Sequence, residues 1–171
     1  RPFFLRCRVM VIPYRLGSNR ETPNRETHWA PSAIDQFSQL LTLHPTCKKA
    51  PYAKFRVAEA YFKLKKYDHA LPYYQKLLNQ HPSINDLIDK SLYRMGQIYF
   101  LKGKYDKAIS YYKKLLTQYP KSRLAQNTLF WSAESKCQAG QFKLAVQSYQ
   151  QFLQKYPSHN RSAEALYGLG W

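Results

Sequence analysis

The chain has 171 residues, 44% of them hydrophobic and 16% aromatic, with 15 Tyr and 9 Phe, which excludes a disordered chain and leaves ample material for a buried core. Lys and Arg number 27 against 10 Asp and Glu, a formal charge of +17 that speeds association with anything acidic, nucleic acid and anionic membrane surfaces included. The charge names no partner by itself, and no zinc-ligand spacing, RNP-like aromatic motif or basic zipper accompanies it, so nucleic acid is the lesser reading.

From the start, Arg1 to Thr27 shows no helical period and contains Pro2, Pro13 and Pro23, so residues 1–30 are expected to be irregular and residues 31–171 to form the folded domain. Val9 to Ile12 is too short an apolar run to cross a bilayer. The chain begins at Arg1 and stops at Gly170-Trp171 inside an apparent helix, and on that ground it is expected to be a piece cut at both ends. Trp29 is expected to cover one end of whatever follows.

Four segments then align without gaps. Ala33 leads to Pro45, Ala70 to Pro82, Ala108 to Pro120 and Ala145 to Pro157, each alanine standing 12 positions before its proline. Successive prolines are separated by 37, 38 and 37 residues. Within each segment apolar residues fall at helical spacing, as in Ala108, Ile109, Tyr112, Leu115 and Leu116, so each predicts an amphipathic B helix. Pro72 is expected near a helix start, where its missing N–H costs nothing.

A second amphipathic run precedes each of the later B helices, Tyr52 to Leu64, Lys90 to Leu101 and Asn127 to Ala139, and a truncated fourth, Ala163 to Trp171, follows the last. These are the expected A helices. Gly103 and Gly140 follow two of them as helix-terminating glycines do, and Pro51 suits a first helical turn. Asp68 and Asp106 stand where B helices begin and are expected to accept orphan N–H bonds there.

This arrangement resembles the tetratricopeptide repeat: a small residue between the A and B helices (Ala58, Gly96, Ala133, Gly170), an alanine 12 later (Ala70, Ala108, Ala145), an aromatic (Tyr74, Tyr112, Tyr149) and a closing proline. Tyr61 and Tyr99 match the tyrosine of the pattern, and Lys136 replaces it in the third copy. Leu77, Leu115 and Phe152 stand where alanine is usual. The period exceeds the usual ~34 residues by about one helical turn. Lengthened copies with Tyr119-Pro120-Lys121-Ser122 are similar to those of two bacterial envelope families, the lipoprotein of the outer-membrane β-barrel assembly machinery and the Tol-Pal-associated coordinator of cell division. Phe4-Leu5-Arg6-Cys7 does not supply a lipidation motif.

The resemblance implies an all-α, right-handed α-solenoid of stacked antiparallel helix pairs, acting as a protein-binding scaffold in a bacterial cell-envelope setting. It places a concave groove on A-helix positions Phe55, Glu59 and Phe62, then Tyr93, Gln97 and Phe100, then Phe130, Glu134 and Cys137, an aromatic face with an acidic strip. Those aromatics either line the groove or pack against neighbouring repeats, since periodicity places a face without saying what covers it. The Lys and Asn clamp for a terminal carboxylate found in chaperone-binding relatives is missing at these positions.

Lys63, Lys65, Lys66, Lys102, Lys104, Lys107, Lys136 and Lys143 fall around successive A-to-B turns and would form a basic rim, read as a solvated edge that complements helix C-terminal dipoles. A basic adaptor for nucleic acid or an anionic membrane, or the repeat region of a larger enzyme, are the alternatives. No metal, cofactor or catalytic group is expected. The histidines pair with no carboxylate or cysteine at ligand spacing, and His44 and His81 share one repeat position with Tyr119 and Tyr156. Cys7, Cys47 and Cys137 are odd in number and far apart, and read as packing residues.

Overall fold

The computed structural model describes residues 27–170. Eight helices and no strand occur among them: α1 (Trp29–Leu43), α2 (Ala50–Lys63), α3 (Tyr67–Gln80), α4 (Asn85–Leu101), α5 (Tyr105–Gln118), α6 (Ala125–Gln138), α7 (Phe142–Lys155) and α8 (Ser162–Gly168). The expectations for residues 1–26, including Cys7, lie outside the described residues. The chain divides into two compact units, which among the described residues are 27–91 and 92–170, the boundary falling within α4.

In residues 27–91, α1 packs on α2 and α2 on α3. Ala58, Ala70, Tyr74 and Leu77 are fully buried where α2 packs on α3. In residues 92–170, α5 packs on α6, α6 on α7 and α7 on α8. A buried cluster of Leu129, Phe130, Ala133, Ala145, Tyr149, Phe152 and Ala165 fills that unit, with Trp131, Leu153 and Leu169 against its edge.

The A-to-B turns repeat in detail. The Lys66, Lys104 and Gln141 amides donate to the Tyr61, Tyr99 and Lys136 carbonyls at 2.9, 2.8 and 2.8 Å, the wide bond of a Schellman motif. This geometry needs a left-handed residue. Gly103 and Gly140 supply it at φ of 68° and 73°, and Lys65 adopts it at 59° without being glycine.

The extra length of each repeat lies after the B helix. The His44, His81, Tyr119 and Tyr156 carbonyls accept from Cys47, Ile84, Ser122 and His159. The carbonyls of those four then accept from Ala50, Leu87, Ala125 and Ser162. Two successive tight turns thus carry the chain into each following A helix, and all four B helices end in the same backbone conformation, φ between −137° and −129°.

Several local expectations are corrected. α1 starts at Trp29, so Pro31 lies inside its first turn, where no intrahelical N–H is needed. The A helices begin one to five residues earlier than periodicity predicts, because Ala50, Leu87, Ala125 and Ser162 enter through those turns. Pro72 sits inside α3 as its sixth residue, beyond the free first turn, and removes the N–H that would reach the Asp68 carbonyl. Asp68 and Asp106 lie inside the first turns, opposing the dipole there, while the N-cap residues Lys66 and Lys104 make no side-chain cap bond. The last A helix stops at Gly168, and Gly170, expected at its small packing position, has a φ of 82° instead.

Candidate functional site

Three side-chain pairs recur between A and B helices, and they decide how much of the predicted groove is free. The aromatic at the first groove position packs edgewise or tilted on the B-helix tyrosine: Phe55 on Tyr74, Tyr93 on Tyr112 and Phe130 on Tyr149, with ring centroids 6.0, 6.2 and 6.2 Å apart. Glu59 accepts from the Tyr74 hydroxyl at 2.5 Å, and Glu134 accepts from the Tyr149 hydroxyl. The acidic strip therefore does internal work, satisfying buried phenols that would otherwise be costly. Phe62 and Phe100 pack on Tyr67 and Tyr105 at 5.7 and 5.5 Å.

Phe130 is only 1% exposed and touches Trp131 and Phe152 as well as Tyr149, so it is core rather than groove. Phe55, Glu59, Phe62, Tyr93, Gln97, Phe100, Glu134 and Cys137 are all half-buried. Phe55, Glu59 and Phe62 belong to residues 27–91, and the rest to residues 92–170.

In residues 92–170 the structure brings together a cluster that only partly follows the predicted positions. Trp131 meets Phe100 edge-on at 5.1 Å, and the Arg161 guanidinium lies 4.9 Å from the Trp131 ring centre and 5.0 Å from that of Phe130. Arg161 also bonds Glu164 at 3.1 Å, and Arg94 donates to Gln97 at 2.9 Å. Burial pushes the Tyr93 hydroxyl above its ordinary value, while Arg94, Arg161 and a hydrogen bond from Trp131 pull it down. Glu134 is raised above the usual carboxylate value, first by burial and then by Glu164, with Tyr149 and Arg161 opposing.

Trp131 and Arg161 were missing from the predicted site. Trp131 follows the groove position by one, where the other copies carry Arg56 and Arg94, and a tryptophan replacing an arginine at one repeat position is a readable signal. Arg161 sits at the N-cap of α8, outside any helical period.

The basic rim is placed as follows. Lys63, Lys65, Lys66, Lys104, Lys107 and Lys143 are exposed, and Lys102 and Lys136 are half-buried. Lys107 lies 5.6 Å over the Tyr99 ring. Lys136 donates to Ser148 at 2.7 Å, and burial, then Lys113, lowers its pKa. This arrangement offers binding surfaces: rings, a stacked guanidinium and ammonium groups. Among the described residues no three His, Cys, Asp or Glu side chains gather to hold a metal, and no helix is long and apolar enough to cross a membrane.

Two family models described as tetratricopeptide repeat match residues 52–121 and 127–159, together more than half of the chain. The chain belongs to the tetratricopeptide repeat family. Its helix-pair solenoid fold is shared with a tetratricopeptide repeat protein from Parabacteroides merdae (TM-score 0.68, 18% identity, 82% of this chain and 52% of that one). It is also shared with the MamA protein (0.64, 19%, 81% and 69%) and a MamA RS-1 ArsTM double mutant (0.64, 14%, 82% and 83%). The chain spans about half the length of the first of these. No curated protein sequence matches it. Repeats of this family are typically non-catalytic protein-interaction scaffolds, and the described residues of this tetratricopeptide repeat chain are helical in the same way.

Proposed function

We propose that this repeat protein holds a partner through a peptide segment laid on its A-helix faces, anchored in residues 92–170 by the Trp131 cluster. The observation that supports it is the half-buried group of Tyr93, Phe100 and Trp131 with Arg161 stacked on it. Large rigid rings that keep part of their surface in water lose little entropy on binding and carry much of the energy of such interfaces. The peptide that fits offers apolar side chains to Trp131 and Phe100, and an acidic group that the Arg161 fork can meet. In residues 27–91, Phe55 and Phe62 offer a lesser aromatic face beside Glu59. As the setting we propose a bacterial cell-envelope assembly, supported by the repeat length and the Tyr119-Pro120-Lys121-Ser122 pattern.

The test is selection of displayed random peptides on the 171-residue chain, followed by affinity measurement on variants. Trp131→Ala is expected to weaken selected peptides by about tenfold or more, measured at a temperature at which circular dichroism shows the variant still folded, because the ring also packs on the core and its loss lowers the melting temperature. Unchanged affinity for every selected peptide would sink the proposal. Phe55→Ala asks separately whether residues 27–91 contribute.

A further inference from the structure

Two A-to-B turns of residues 92–170 lie side by side. Gln141 donates from Nε2 to Asp106 Oδ1 at 2.9 Å, joining the turn after α6 to the turn after α4. On this edge Leu101, Phe142 and Leu144 are 44%, 45% and 48% exposed, three of the seven large hydrophobics exposed among the described residues. Single exposed apolar side chains are ordinary, but three on two adjoining turns and their flanking helix ends, among lysines, are not. Lys104, Lys107 and Lys143 are exposed around them, with Lys102 and Lys136 half-buried. Asp106 is the only carboxylate in residues 101–107 and 136–144, and Gln141 already engages it.

The exposure of Phe142 and Leu144 follows from substitutions in the repeat formed by α6 and α7. Tyr67 and Tyr105, which correspond to Phe142, are half-buried against the Phe62 and Phe100 rings. The third copy has Cys137 at that position, too small to shield a phenyl ring. Leu144 stands where the other copies carry His69 and Lys107, so an apolar side chain has replaced a polar one at a surface position.

We propose that this edge docks the protein on an anionic lipid surface. Leu101, Phe142 and Leu144 enter the boundary between headgroups and acyl chains, and the lysine ammonium groups meet lipid phosphates. A nucleic-acid backbone would use the lysines but has no place for two leucines, whereas a membrane boundary uses both kinds of side chain. The edge is made of two turns and the helix ends that flank them, and it uses none of Tyr93, Phe100, Trp131 and Arg161, so this docking leaves the peptide-binding cluster available.

The experiment is sedimentation of the 171-residue chain with vesicles of phosphatidylcholine, with or without about 30% phosphatidylglycerol. Binding is expected only to the anionic vesicles and is expected to fall as salt rises. Lys104→Glu with Lys143→Glu should weaken it by about tenfold or more. Lys121→Glu with Lys155→Glu, which changes net charge equally on the far side of the repeats, should change it by less than about threefold. Phe142→Ser with Leu144→Ser should also weaken it about tenfold at unchanged circular dichroism, and Leu144→Ser alone, the lesser disturbance, should act in the same direction. Equal loss from both lysine pairs, or binding indifferent to Phe142 and Leu144, overturns the proposal. So does a duplex oligonucleotide bound as tightly as the vesicles through the same lysines.

Discussion

The repeat formed by α4 and α5 and the repeat formed by α6 and α7 share one backbone plan 37 residues apart, yet they fill it with different chemistry. Between α6 and α7, Ala133 and Glu134 receive Tyr149, whose hydroxyl donates to the carboxylate. Between α4 and α5 the same positions carry Gly96 and Gln97, and the Tyr112 hydroxyl is buried with no hydrogen-bond partner. A second exchange goes with the first. Tyr99 stacks on Tyr111 at 5.3 Å, whereas Lys136 donates to Ser148. Replacements therefore come in facing pairs, and one helix pair can hold its B helix by a charge-assisted bond or by a ring sunk against a glycine.

The largest effect expected from this difference is at Tyr149. Tyr149→Phe removes the donor and leaves the half-buried Glu134 without it, so stability should fall by about 1.5–3 kcal/mol in urea unfolding. Tyr74→Phe should cost a similar amount, through Glu59, and loss at neither site would break the comparison at its root.

Next in size is Gly96→Ala. A β-carbon at Gly96 would meet the Tyr112 ring well inside normal contact distance, although Ala58 and Ala133 hold the same repeat position. The fully buried ring must shift, which should cost about 1–3 kcal/mol. The Ala side chain is a better helix former, so a stabilised variant would mean that the ring has room to move.

Glu134 makes a pH-dependent difference between the two repeats, since Gln97 does not titrate. Its folded pKa is raised above its unfolded value, so the folded state holds a proton that the unfolded state has already released. That contribution is present at low pH and is lost as pH rises through the window above the unfolded value. Relative to the parent, Glu134→Gln should therefore gain stability as pH rises above the unfolded carboxylate value, read as the difference in melting temperature. A flat difference would show that the Tyr149 bond cancels burial.

Much of the fold was legible because it repeats. The alanine and proline spacing located every B helix, and Ala70, Tyr74, Leu77 and their counterparts in α5 and α7 are buried where the pattern put them, while Ala33, Phe37 and Leu40 of α1 are half-buried. Helix starts were less legible, because Ala50, Leu87 and Ala125 enter through tight turns that no hydrophobic period marks. The site was legible as a face and not as a surface. Phe130 and Tyr93 occupy equivalent positions, but Phe152 and Trp131 close over the first and leave the second half-exposed, and such covering depends on residues far along the chain. Arg161 illustrates the limit, since its stacking on Phe130 and Trp131 joins an N-cap to a helix 30 residues earlier.

A smaller effect compares the A-to-B turns. Lys65 takes a left-handed conformation that Gly103 and Gly140 adopt without strain. Lys65→Gly should stabilise residues 27–91 by about 0.5–1 kcal/mol, the relief of strain being partly offset by the added freedom of the unfolded chain. Gly103→Lys should act in the opposite direction by a similar amount. Equal and opposite shifts in urea midpoint would show that the two turns are energetically the same device.

The smallest effect is expected at Tyr112. Its hydroxyl is buried and unpartnered, and burial raises its pKa well above the ordinary tyrosine value. Tyr112→Phe removes a group that lost its water and gained no bond, so the variant should lie within about 0.5 kcal/mol of the parent or be more stable. The same substitution thus separates the two repeats: costly at Tyr149, neutral at Tyr112. A loss at Tyr112 equal to that at Tyr149 would mean that its hydroxyl has an acceptor, with Gln97 the nearest repeat equivalent of Glu134. Gln97→Glu then distinguishes the cases, because a carboxylate at that position should raise the cost of Tyr112→Phe toward the cost at Tyr149, a coupling that a double-mutant cycle reads directly.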